Sequence, residues 1–190
     1  MAFILRDDIA PELYPISWLV GTWHGYGMLG YQGIPERTIV NEVTFDHDGG
    51  PYLRSTSTLW LTDPELSGPV DHETTGAGGH LALVKDVQWS TETSYWRPVA
   101  SARTESATRV ELEVVCSDPA GFLSLYLGTA EGPRISLATD AVVAAPSAAH
   151  FSGAARMYGL VHSELMWVQE IAAFGHPLAS YASARLSRAA

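Results

Sequence analysis

From about residue 20 onward, hydrophobic and polar positions alternate in short runs, each closed by Gly, Pro, Asp or Ser. Val43 and Phe45 alternate with Glu42, Thr44 and Asp46 before Asp48-Gly49-Gly50-Pro51 turns the chain into Tyr52–Leu61. Val110, Leu112 and Val114 alternate with Glu111 and Glu113, and Ser117-Asp118-Pro119-Ala120-Gly121 then leads into Phe122–Leu127. Ile135–Asp140, Ala154–Leu160, Glu164–Phe174 and Leu178–Leu186 continue the pattern. A period of two sends successive side chains to opposite faces, so these runs predict half-buried antiparallel strands joined by tight turns. About ten such strands are expected. Closing a meandering sheet removes its unpaired edges. The fold class expected is therefore all-β, an antiparallel up-and-down barrel, with a two-sheet sandwich as the alternative.

Two regions break the alternation. Residues 8–20 place Leu13, Ile16, Trp18, Leu19 and Val20 at mixed helical spacing, with Pro11 near a first turn, which predicts a short N-terminal helical cap, either a short helix or two 3₁₀ turns. Residues 62–80 carry Pro64, Gly68, Pro69, Gly76, Gly78 and Gly79 with little periodicity and read as a long surface loop. No Pro/Gly-rich stretch separates two apolar cores, so residues 1–190 are expected to form a single domain.

Composition narrows the function classes. Eleven Lys and Arg against 21 Asp and Glu leave a net charge of −10, which repels polyanions and argues against nucleic acid as a partner. The chain is 46% hydrophobic and 17% charged, too apolar to remain disordered. No apolar stretch approaches the roughly 20 residues that cross a bilayer, so a membrane-spanning helix is not expected. Lone Cys116 has no intramolecular disulfide partner, and Met1–Asp8 lacks the apolar core of a signal peptide, so a cytoplasmic location is expected. Barrels of about eight to ten strands can hold one small ligand, which makes an internal cavity for a small apolar molecule the default functional expectation. Oligomeric state is left open.

The most informative segment runs from Gly21 to Ile34, Gly-Thr-Trp-His-Gly-Tyr-Gly-Met-Leu-Gly-Tyr-Gln-Gly-Ile. On a strand, Gly21, Trp23, Gly25 and Gly27 share one face and His24, Tyr26 and Met28 the other. Three glycines beside one indole pack poorly, so either a barrel corner coils sharply there, with Trp23 plugging the closed end, or another group approaches closely. By the same parity His24 is a surface histidine. Asp46-His47-Asp48 and Asp71-His72-Glu73 have no metal-site spacing and read as solvated turns, and Cys116 lacks the neighbouring His or Lys that activates a thiol. No catalytic residue is assigned.

The Gly-x-Trp opening resembles the calycin superfamily of lipocalin-like and fatty-acid-binding-protein-like barrels. The longer pattern Gly21-x-Trp23-x-Gly25-x-Gly27-x-x-x-Tyr31-x-x-Ile34 resembles the nitrobindin family. The resemblance extends through Asn41–Phe45, Pro51-Tyr52-Leu53, Glu92–Pro98 and Ala172–Leu178, while residues 62–88 resemble an insertion. It implies a ten-stranded barrel that holds haem b near its mouth, ferric iron bound by one histidine of the last strand, and nitric oxide binding with peroxynitrite isomerisation. An open position on such an iron acts as a Lewis acid toward the anion.

This chain departs from the family pattern at two cofactor positions. Counting forward from His176-Pro177-Leu178, the position of the iron-ligating histidine is Tyr181, and the position of the haem-contacting threonine is Gly33. A tyrosinate can hold ferric haem, but a phenol has an ordinary pKa near 10 and needs a neighbouring cation to ionise. Arg185 lies about 13 Å along the strand, and Arg97 or Arg156 would have to reach over from other strands. The expectation is a ferric nitrobindin-like member without histidine-ligated haem. The competing readings are a haem-free carrier or sensor of a small apolar ligand, and an interaction protein that uses the 62–80 loop.

Overall fold

A computed structural model describes residues 9–99 and 109–189; the chain start read above for a signal peptide, including Asp8, lies outside them. The alternating segments form ten antiparallel strands: β1 (Gly21–Tyr31), β2 (Ile34–Asp46), β3 (Leu53–Thr62), β4 (Lys85–Val99), β5 (Arg109–Asp118), β6 (Phe122–Glu131), β7 (Arg134–Ala144), β8 (Phe151–Val161), β9 (Glu164–Ala173) and β10 (Ala179–Arg188). Each pairs with its sequence neighbours, and β1 pairs with β10, so the sheet closes into an up-and-down barrel. No edge strand remains among the described residues. Inward positions such as Leu112, Val114 and Cys116 are buried while Glu111, Val115 and Ser117 are exposed, the alternation read from the sequence.

Closure depends on the glycines of β1. Gly25 faces Leu186 and Gly27 faces Ala184 across the β1–β10 pairing. A Cβ on Gly25 would stand 2.0 Å from the Arg185 carbonyl oxygen, and one on Gly27 1.8 Å from that of Ser183. The two backbones approach too closely for any side chain, so the glycines serve the barrel corner.

One end of the barrel is plugged. A 3₁₀ segment, Pro11–Leu19, starts with proline at its first position and buries Leu13, Ile16 and Leu19 completely. Trp23, also fully buried, donates from its indole N–H to the Leu19 carbonyl at 2.7 Å. The Arg188 guanidinium covers the Trp23 ring at 4.1 Å and donates to the Trp18 and Val20 carbonyls, which satisfies carbonyls the 3₁₀ segment leaves free. The helical cap expected at residues 8–20 is thus a 3₁₀ plug.

Residues 63–84 are more ordered than the expected open loop. They contain a short helix α1, Gly76–Ala82, with Thr75 at its N-cap accepting from the Gly78 N–H. This segment is strapped to the outside of β1, β2 and β10. Gly79 lies against the Tyr26 ring, whose hydroxyl reaches the Asp71 and Thr74 carbonyls at 2.7 and 3.0 Å. His80 stacks on His24 at 4.4 Å, and His80 and Lys85 both contact Glu42. His24 is therefore half-buried beneath the strap instead of free on the surface. No helix among the described residues is long and apolar enough to cross a membrane.

Candidate functional site

Opposite the plug, the barrel contains a cavity of about 460 Å³. Its apolar walls include Val43, Phe45, Leu59, Leu165, Trp167 and Ile171, each on the inward face of its strand. At the rim stand Ile34, Trp89, His150, Phe174 and Tyr181, with Trp89, His150 and Phe174 exposed, so the cavity communicates with solvent there. Size and apolarity fall within the range of small-molecule sites, about 300–1,000 Å³.

Tyr181 lies at this rim because of a local irregularity. The β10–β9 register shifts between Ser180 and Ala182. Below the shift Ala182, Ala184 and Leu186 are buried, while Ser183 and Arg185 take the other face. Strict alternation would put Tyr181 with Ser183 and Arg185, yet it lines the cavity. A bulge re-aims a side chain in this way. Arg185 is outside, donating to the His72 and Thr74 carbonyls of the strap and pairing with Glu164, and Arg97 pairs with Glu113 on the outer face. Neither supplies a cation to Tyr181.

The partner Tyr181 does have is Trp89, whose indole N–H donates to the phenol oxygen at 2.6 Å. Burial pushes the phenol above its ordinary pKa, and the Trp89 hydrogen bond only partly opposes this. Tyr181 is therefore a neutral phenol at neutral pH. His176, the other nearby histidine of the family motif, packs its ring edge against Tyr31 at 6.1 Å. Tyr31 is fixed in turn by the Ile171 and Pro177 carbonyls, each 3.0 Å from its hydroxyl, and so clamps β1 to the β9–β10 turn. Gly33 sits in the β1–β2 turn at φ +81° and is exposed; Ile34 beside it reaches the cavity. Among the motif positions, Ile34 and Tyr181 line the cavity, while Gly21, Trp23, Gly25, Gly27 and Tyr31 build the barrel around it.

Halfway down, the cavity turns polar. Arg156 of β8 spans the lumen to Glu92 of β4 in a bidentate pair at 2.6 and 2.7 Å, its side chain 8% exposed. The guanidinium also lies 4.7 Å over the Tyr126 ring. Burial works against the Arg156 charge, but Glu92 more than offsets it and the guanidinium stays protonated. Burial raises the Tyr126 and Tyr158 phenols and, with the Glu92 charge adding to the effect, pushes the Cys116 thiol up to about 12. Such a thiol is a packing residue. On the facing wall Asn41 accepts from Trp167 at 2.9 Å and donates to Ser57 at 3.1 Å, so its amide is satisfied. No group of three His, Cys, Asp or Glu among the described residues can hold a metal ion.

Several of these residues escape a reading of the sequence. Trp89 and Tyr181 are 92 positions apart and Glu92 and Arg156 are 64 apart. Alternation does point Glu92 and Arg156 inward, alongside Trp96 and Tyr158, and a charge at an inward position is a usable signal. His150 precedes β8 at the rim, outside any periodic run.

Comparison with known proteins places this geometry in a family. Residues 12–188 match the model of the THAP4-like, heme-binding beta-barrel domain. A ferric nitrobindin-like protein of Beutenbergia cavernae is 43% identical, covering 100% of both chains, and one of Kineococcus radiotolerans is 40% identical over 99% of each. A peroxynitrite isomerase of Leifsonia xyli subsp. xyli is 37% identical over 97% of this chain and 98% of its own. Among solved structures, the crystal structure of Rv2717c from M. tuberculosis superposes with a TM-score of 0.71 at 25% identity, covering 96% of this chain and 99% of that one. With a closed ten-stranded barrel, the Gly-x-Trp corner and a cavity open at one end, the chain belongs to the nitrobindin family of haem-binding β-barrels.

Proposed function

We propose that this protein, working as one barrel domain over residues 1–190, uses its cavity for a small apolar ligand and has given up the histidine-ligated haem of its family. The observation that carries this reading is the state of Tyr181. At the iron-ligand position of the family stands a half-buried, neutral phenol that accepts a hydrogen bond from Trp89 and has no cation beside it among the described residues. Haem b bound in a barrel of this family supplies a ferric Lewis acid, and the two positions that would hold it by the resemblance carry neither the histidine nor the threonine. Tyr181 has no protein cation beside it among the described residues to favour the tyrosinate before iron arrives, and Gly33 offers no side chain. Peroxynitrite isomerisation is therefore not assigned to this chain. The apolar walls remain intact, which favours a carrier or sensor of an apolar molecule. A cytoplasmic site of action is the reading that lone Cys116, kept as a thiol, supports.

Ferric haem titration followed by absorbance, on wild type, Tyr181→Phe, Tyr181→His and His150→Ala, tests the reading. Wild type is expected to show no saturable one-to-one spectrum, and Tyr181→His to gain one. A stoichiometric wild-type spectrum that is lost in Tyr181→Phe, or in His150→Ala, would overturn the proposal and identify the ligand in the same experiment.

A further inference from the structure

The first half of β4 is a weakly supported stretch of the barrel wall. β5 reaches β4 only from Thr93 onward, where Thr93 faces Ser117, so Lys85–Glu92 pair on one side alone, with β3. Even there the register slips twice: Ser90 faces Leu59 and Gln88 faces Trp60, which leaves Trp89 opposite no residue of β3. Lys85–Trp89 are all exposed. The ends of the stretch are pinned. Lys85 reaches Glu42 and lies over the Trp60 ring, the Thr91 hydroxyl meets that of Thr58 at 3.0 Å, and Glu92 pairs with Arg156. Between those pins, among the described residues, Asp86–Ser90 make one side-chain hydrogen bond, from Trp89 to Tyr181. Segments with so few partners open locally at low cost.

That bond joins two bulges. Tyr181, like Trp89, stands where a register slips, between Ser180 and Ala182, and it opposes no residue of β9. A bulge re-aims its side chain, and both rings are turned to the rim, where each lines the cavity. Their strands lie far apart on the barrel, with β1, β2 and β3 between them on the shorter way round. The 2.6 Å contact therefore spans the mouth from one wall to another. Two rings joined in this way obstruct entry to the apolar space below them.

Resting on the reading of the cavity as an apolar-ligand site, we propose that Asp86–Ser90 is a lid on its mouth and that the Trp89–Tyr181 hydrogen bond is the latch that holds the lid closed. A ligand enters when the latch parts and the one-sided stretch moves away from β10. Its association rate then follows the fraction of molecules whose latch is open. Tyr181, at the position the resemblance gives to the iron-ligating histidine, holds the lid instead.

Hydrogen exchange of the ligand-free protein and stopped-flow binding of the uncharged fluorophore phenylnaphthylamine test the latch in wild type, Trp89→Phe, Tyr181→Phe and the double variant. Tyr181→Phe keeps the ring and removes only the acceptor. Amide exchange in residues 85–91 and association of the fluorophore are each expected to be about three- to tenfold faster in either single variant, the scale of one hydrogen bond. The double variant is expected to match the single ones, because the same bond cannot be lost twice. A fragment covering Phe122–Leu127 of β6 is expected to exchange as in wild type, which separates an open lid from a loosened barrel. A damaged pocket would speed dissociation and leave association unchanged. Unchanged exchange of residues 85–91 in Tyr181→Phe, association no faster than in wild type, equally accelerated exchange in β6, or factors that multiply in the double variant would each overturn the inference. Failure of wild type to bind the fluorophore would overturn the apolar-ligand reading, while the exchange rates still decide the latch.

Discussion

On the proposed reading, Tyr181 changes the site without changing the barrel that carries it. A histidine at that position would present a neutral imidazole nitrogen at neutral pH, whereas the phenol must lose a proton, and burial makes this harder. Its inward aim could not be read from the sequence, because the register shift after Ser180 breaks the alternation that otherwise assigns faces. The β1 glycines were legible as a feature that needs space, though the sequence alone could not say whether a ligand or a strand took it. Gly25→Ala would drive a Cβ onto the Arg185 carbonyl oxygen and is expected to destabilise by about 3 kcal/mol or more. Gly33→Ala, with nothing within 4 Å of the added carbon, pays only for its φ of +81°, about 1–2 kcal/mol. Urea unfolding of both variants checks this; equal losses would mean that the β1–β10 approach is looser than described.

Among the elements, the ten strands were legible because each is a short alternating run with its own turn residues, and hairpin pairing follows sequence order. The strap was not. Residues 63–84 have no periodicity of their own; α1 is seven residues long and is held by Tyr26, Glu42, Glu164 and Ser187, all distant in the chain. Glu164 accepts from the Gly76 N–H and Ser187 from that of Ala77, so the helix start is satisfied from β9 and β10. The strap is also expected to be acid-sensitive. Burial, with His80 beside it, lowers the His24 pKa below its ordinary 6.5, only partly opposed by Glu42. The unfolded or undocked histidine then binds its proton more readily than the docked one, so docking weakens as pH falls below about 6.5. Glu42 is held below the ordinary carboxylate range, since the Lys85 and His80 hydrogen bonds outweigh burial, and its contribution is lost at still lower pH. Limited proteolysis within residues 63–84 is therefore expected to be faster at pH 5.5 than at pH 7.5, relative to an unstructured substrate. An unchanged relative rate would show that the His24–His80 stack does not hold the strap.

At the scale of the whole molecule, the barrel divides its two ends between stability and binding. The 3₁₀ plug and Trp23 close one end with fully buried side chains, covered from outside by Arg188, while the other keeps a cavity of about 460 Å³ rimmed by exposed aromatic rings. The family resemblance was visible in the Gly-x-Trp segment because those residues make the corner any such barrel requires. The polar lining of the cavity was less visible, since Glu92, Arg156, Trp89 and Tyr181 are brought together from three strands by closure. Native mass spectrometry of the protein purified from haem-replete cells tests the proposed loss of haem most directly. The expected spectrum shows the chain without haem, alone or with a smaller organic adduct that solvent extraction removes; a one-to-one haem adduct at full occupancy would contradict it.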